Sequence, residues 1–211
     1  EKTVRIISAY LEGTELPPVE KQQVKAITKP AITQMTLNYA AGSFGMCYII
    51  TLSDGSFVIF DGGADKGNTD HIRLYKLLER LNARPDKKIV IAGWFLTHEH
   101  YDHFQNFYNF CKAYGKKVTI EAFYHNVTSP AADYNSNNPG NYFPDKFYEA
   151  SDYVNGGIKL VKIHTGQKLY IRDAEFEVLF THEDLYPDRL RFFNNSSVTT
   201  RMTLGGQTTM W

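Results

Sequence analysis

The chain has little of what would assign it to several broad classes. Its 211 residues include only two cysteines, Cys47 and Cys111, which excludes a disulfide framework. Each sits in an apolar stretch, where a thiol behaves as a small core residue. No apolar run approaches the roughly 20 residues that a membrane-spanning helix needs. Charge of either sign is not in excess, with 23 Lys plus Arg against 23 Asp plus Glu. A zero net charge gives no general pull toward nucleic acid or an anionic membrane. What the chain does have is enough length for one domain with a substantial core, and many aromatics, 14 Tyr and 14 Phe. It opens on Glu1 rather than Met, which suggests export after removal of a leader; the alternative is a cytoplasmic protein.

The stretch Ala92-Gly-Trp-Phe-Leu-Thr-His-Glu-His-Tyr-Asp-His103 organises the rest. His98, His100, Asp102 and His103 are potential metal ligands crowded into one short segment. Lys88–Leu96 is an apolar run that reads as a buried strand. Phe104, Phe107, Phe110, Cys111 and Tyr114 recur at helical spacing, with Gly115 as a stop. The cluster therefore falls on a strand-to-helix turn, where open α/β sheets place ligands. Imidazoles at i and i+2 of an extended turn point the same way and can hold one cation. Asp102 and His103, at the helix entrance, can face a second. Imidazole with carboxylate suits zinc, with manganese or iron as alternatives, and one or two ions are expected.

Taken in order, Thr3–Tyr10 reads as a strand. Glu12–Pro30 reads as a polar surface connection with a helical turn around Val19–Ala26. Ile32–Leu37, Met46–Leu52 and Ser56–Phe60 read as strands, the last two joined by an Asp54-Gly55 hairpin. Asp61 is expected either to cap its turn or to accept a hydrogen bond from a ligating histidine. Thr69–Leu81 is an amphipathic helix capped by Asn68 or Thr69, with His71 expected at the surface. Strand, helix and strand from Phe57 to Leu96 imply a crossover to a parallel strand. Lys117–Phe123 reads as a strand, with Tyr124 and His125 at its end. Asn126–Gly157, polar and aromatic, reads either as a lid over the site or as a surface insertion, with a short helix at Phe147–Tyr153. Ile158–His164, Lys168–Ile171 and Ala174–Phe180 read as an antiparallel meander opening a second sheet. His164 and His182 are expected to be structural. The segment before Leu204 starts a strand, and Gly205-Gly206 turns into another.

The order His98-x-His100-x-Asp102-His103 resembles the metal signature of the metallo-β-lactamase superfamily, and Asp61-Gly62-Gly63 resembles its Asp-Gly-Gly-type turn. Asn194-Asn195-Ser196-Ser197 before a strand resembles the branch holding competence-protein and phosphodiesterase-type domains. The resemblance implies an α/β, αββα four-layer sandwich over residues 32–211, with residues 1–31 as an extension. In the family a third histidine stands near Asn194–Ser196. A bridging aspartate, further strands, a helix and a final histidine follow a point that this chain does not reach, so the native protein is expected to continue past Trp211. The implied function is metal-dependent hydrolysis of a small phosphodiester or other ester. His98 and His100 would hold one cation, Asp102 and His103 another, and Asp102 would also act as general base. Asn195, Ser196, Tyr101 and His125 are candidate substrate contacts. The rival reading is a non-catalytic metal- or ligand-binding module with a decayed site.

Overall fold

The computed structural model of the chain describes residues 15–128, 143–186, 190 and 193–211. The expected strand at Thr3–Tyr10 and the middle of the expected lid, with Tyr134 and Tyr142, lie outside the described residues.

The elements run β1 (Ala31–Gln34), β2 (Cys47–Thr51), β3 (Phe57–Asp61), α1 (Asp70–Leu81), β4 (Ile89–Phe95), α2 (Tyr101–Tyr114), β5 (Val118–Ile120) and β6 (Ala122–His125). Then come α3 (Phe143–Asp152), β7 (Lys159–Lys162), β8 (Lys168–Ile171), β9 (Ala174–Phe180), β10 (Thr199–Leu204) and β11 (Gln207–Met210). The first sheet has the order β1-β2-β3-β4-β6-β7, with β5 also paired to β4. The second has the order β11-β10-β9-β8.

Local sequence explains the layers. Every residue of β3 and β4 is buried, as strands covered on both faces require. One face of the first sheet meets the helices: Ile49, Ile59, Ile91 and Trp94 pack with Leu74 and Leu78 of α1, Phe107 and Phe110 of α2, and Phe147 of α3. The other face meets the second sheet through Val58, Phe60, Phe95, Phe176 and Met202. In the second sheet β9 and β10 alternate buried and outward positions, so Glu177 and Arg201 point away from the core. Helix on sheet on sheet is the layering of a mixed α/β sandwich, and β3–α1–β4 is the expected crossover between parallel strands.

Several expectations need correction. Val19–Ala26 forms no helical turn. Tyr170 N–H bonds to Pro18 O at 2.8 Å and Gln22 N–H to Arg172 O at 3.0 Å, so the chain here is tied to the β8–β9 hairpin at two points instead. β7 does not open the second sheet; it pairs in parallel with β6. Between them lies α3, whose Phe147 and Ala150 are fully buried, so residues 143–152 are structural rather than part of a lid. The stretch Lys117–Phe123 divides into β5 and β6 at Glu121. His71 is not at the surface: its Nδ1 lies 2.7 Å from Asp65 Oδ2. That same aspartate, not the Thr69 side chain, accepts the Asp70 N–H at 2.6 Å where α1 begins. The hairpin at Asp54-Gly55 and the free, buried state of both cysteines agree with the sequence.

Candidate metal centre

β4 delivers the chain to the site at its C-terminal end. Leu96 N–H still pairs with Tyr124 O at 2.9 Å, and Thr97–His100 then form the turn into α2. His100 is extended, with φ −68° and ψ 149°, and its carbonyl accepts from His103 N–H at 3.0 Å. The helix thus starts earlier than apolar spacing alone indicates, and Asp102 and His103 lie in its first turn.

The four side chains come together as two facing pairs. His98 Nε2 stands 3.0 Å from His100 Nδ1. His103 Nε2 stands 3.5 Å from Asp102 Oδ2. The His98 and His103 ring centroids are 4.0 Å apart, so the pairs are neighbours. In tetrahedral zinc sites, Zn–N bonds of about 2.0–2.1 Å put adjacent ligand nitrogens about 3.4 Å apart, close to both spacings. Among the described residues, no three His, Cys, Asp or Glu side chains form a ready-made set for one ion. The donor chemistry fits one or two cations, with two donors for each.

Asp61 orients these rings. It is fully buried and sits at φ 53°, a left-handed conformation costly for a residue with a Cβ. Its carboxylate accepts from Thr97 N–H at 2.8 Å and from the Thr97 hydroxyl at 2.8 Å. The His103 Nδ1–H donates to it at 2.7 Å. Because the Thr97 hydroxyl donates to Asp61, it accepts from His98 Nδ1 at 3.1 Å. Both His98 and His103 therefore hold their Nε2 lone pairs free of protons. His100 Nδ1 carries the proton of its contact with His98 and must release it to bind a cation.

A cation needs neutral imidazoles, which the electrostatics favour at His98 and His100 but not at His103. Burial first, then the charges of His103 and His100, push His98 down to about 3. Burial also lowers His100, against the opposing pull of Asp102. For His103 burial works downward, but the hydrogen bond and charge of Asp61 outweigh it and the pKa rises.

Glu99, between His98 and His100, points the other way and is buried. Thr128 Oγ1 donates to it at 2.6 Å and Ser196 Oγ at 3.2 Å, while burial raises its pKa. Ser196, expected at the substrate, is 1 % exposed and its hydroxyl is engaged with Glu99. His125, also expected there, is fully buried, and its Nδ1 accepts from Val127 N–H at 3.1 Å. A core position at the end of β6 removes it from solvent. Tyr101, at 42 % exposure, and Asn195 are open. His164 pairs with Glu183 at 2.7 Å, in a structural contact. Two residues were missed. Thr97 was detectable as a hydroxyl beside His98. Asn194 hydrogen-bonds both His98 and His100, and only its place in an Asn-Asn pair marked it.

A cavity of about 420 Å³ lies elsewhere, lined by Gln22, Glu121, Tyr124, Lys159, Tyr170 and Arg172 among others. None of the four donors reaches it. Arg172 is spent there on Asp54, Glu121 and Gln22, so volume and chemistry do not coincide.

A family model described as the metallo-beta-lactamase superfamily matches residues 40–185, most of the chain, including the whole histidine turn. The chain belongs to the metallo-β-lactamase superfamily. No curated protein matches it. Similar solved structures include the metallo-beta-lactamase fold protein YhfI from Bacillus subtilis, at 14% identity over 78% of this chain and 53% of that one, with a TM-score of 0.46. Zinc-bound PqqB from Methylobacterium extorquens matches at 11% identity over 78% and 51%, TM-score 0.45. CmlA, a diiron beta-hydroxylase from Streptomyces venezuelae, matches at 13% over 78% and 27%, TM-score 0.40. The chain thus spans about half the length of the first two of these proteins and about a quarter of the third. Among its described residues, no helix is long and apolar enough to cross a membrane.

Proposed function

We propose that this chain supplies the cation-binding, water-activating part of a hydrolase acting on a small phosphodiester or another ester. The observation that carries it is the pair of facing donor sets on one turn: His98 with His100, and His103 with Asp102. His98 and His100 hold one cation through Nε2 and Nδ1; His103 Nε2 and Asp102 hold a second. Zinc fits this donor set, with manganese or iron as alternatives. A bound cation supplies Lewis acidity, which lowers the pKa of water and draws charge from the reacting oxygen.

The chain's own groups do the rest. Asp61 holds His103 by its far nitrogen and, through Thr97, orients His98. The Asp102 carboxylate, partly open to solvent, takes the proton of the attacking water as general base. Tyr101 and Asn195, both exposed, contact the substrate on the rim. Glu99 turns away and fastens the histidine turn to the segments at Thr128 and Ser196.

The test is metal content by elemental analysis with turnover of bis-p-nitrophenyl phosphate and a panel of carboxylic esters, on the protein and on His98→Ala and Asp102→Asn. Bound metal, turnover, and loss of turnover in both variants are expected. Bound metal without turnover of any ester would overturn the hydrolase reading in favour of a non-catalytic metal-binding module.

A further inference from the structure

The short turn Phe193–Ser196, just ahead of β10, lies against the histidine turn. Three contacts fasten it there. Val198 N–H donates to Thr97 O at 2.8 Å, Ser196 Oγ to Glu99 Oε2 at 3.2 Å, and Ser197 Oγ lies 3.5 Å from His98 Nδ1. They hold the Asn194 side chain within hydrogen-bonding reach of both His98 and His100. Those two rings present their facing nitrogens 3.0 Å apart. A carboxamide in contact with both rings is near enough to share a cation that the two rings hold. Its amide can turn over without backbone movement, so the oxygen can be presented to a cation.

We propose that the Asn194 carboxamide oxygen is the third protein ligand of the cation held by His98 and His100. The inference rests on the reading that those two histidines bind a cation. Two imidazoles and one carbonyl oxygen form a harder set than three imidazoles. The site therefore holds zinc less tightly, relative to manganese, than three imidazoles would.

Metal-free protein is titrated with Co²⁺ while its visible spectrum is recorded, and Zn²⁺ and Mn²⁺ affinities are measured by competition with a chromophoric chelator. Asn194→His is expected to tighten Zn²⁺ at least tenfold and to shift the cobalt bands; Asn194→Ala is expected to weaken Zn²⁺ about tenfold or more. Should Asn194→Ala lose its fold, the near-isosteric Asn194→Asp decides, by moving the Mn²⁺-to-Zn²⁺ affinity ratio toward manganese. If these variants keep the parent's affinities and cobalt spectrum while His98→Ala abolishes binding, Asn194 is no ligand and the metal-site reading stands. If the parent and His98→Ala bind Co²⁺ equally, both readings fall.

Discussion

Gly45 offers the sharpest test of how the histidine turn is held. It sits at φ +97°, a backbone conformation that side chains with a Cβ rarely adopt. A Cβ placed there would lie 1.9 Å from the Asp102 carbonyl oxygen, 2.9 Å from its carbonyl carbon and 3.2 Å from its Cβ. Asp102 is in the first turn of α2, so its backbone must retreat, taking a proposed ligand with it, or the Gly45 loop must lift. In Gly45→Ala the positive φ costs about 1–2 kcal/mol. The forced contact adds about 1–3 kcal/mol. Reduced freedom of the unfolded chain returns about 0.4–1 kcal/mol. The net loss is about 1–5 kcal/mol. Gly156→Ala is the control: φ is +83° there too, but no heavy atom lies within 4 Å of the added carbon. Its net loss should be about 0–1.6 kcal/mol, because only the conformational cost remains. Equilibrium urea unfolding in chelator, followed by circular dichroism, separates these effects from metal binding. Zinc titration of Gly45→Ala should show weakened affinity, and that of Gly156→Ala should not. Equal unfolding losses for the two variants, or parent-like zinc affinity in Gly45→Ala, would refute the view that Asp102 is braced by this glycine.

Other expectations follow from single contacts. Asp61→Asn keeps the shape of the side chain but loses the charged acceptor shared by Thr97 and His103, so metal affinity should fall about 10–100-fold by calorimetric titration; parent-like affinity would show that Asp61 does not orient the rings. Phe107→Ala empties a fully buried site ringed by Trp94, Phe104, Phe123 and Phe147, and should cost about 3–5 kcal/mol in urea unfolding; a loss below about 1 kcal/mol would mean that the core refills the space. At Asp54 burial raises the pKa, but the Ser56 hydrogen bonds and Arg172 outweigh it, so the folded value lies below the unfolded one. Its stabilisation is complete above the ordinary aspartate value of about 3.9 and disappears as pH falls through the lower folded value. The stability gap between parent and Asp54→Asn should therefore shrink through that acid window; a constant gap by urea unfolding would contradict the assignment.

Much of the fold was legible because it is local. Hydrophobic period 2 or 3.6, Asp54-Gly55 and the glycines of β-turns set strands, helices and hairpins over a few residues each. β7 was misplaced because a short apolar run carries no record of its partner, and its parallel neighbour β6 is reached only through α3. His71 was misread because a histidine's surroundings depend on which carboxylate the fold brings beneath it, here Asp65.

The candidate metal centre divides along the same line. That His98, His100, Asp102 and His103 share one turn follows from the sequence, since backbone geometry keeps residues so close in number close in space. Which ring nitrogen each presents does not. That choice rests on Asp61, 42 residues from His103, and on Asn194, brought over His98 and His100 by the start of β10. Contacts over such separations are set by strand register and sheet stacking, and only the folded chain decides them.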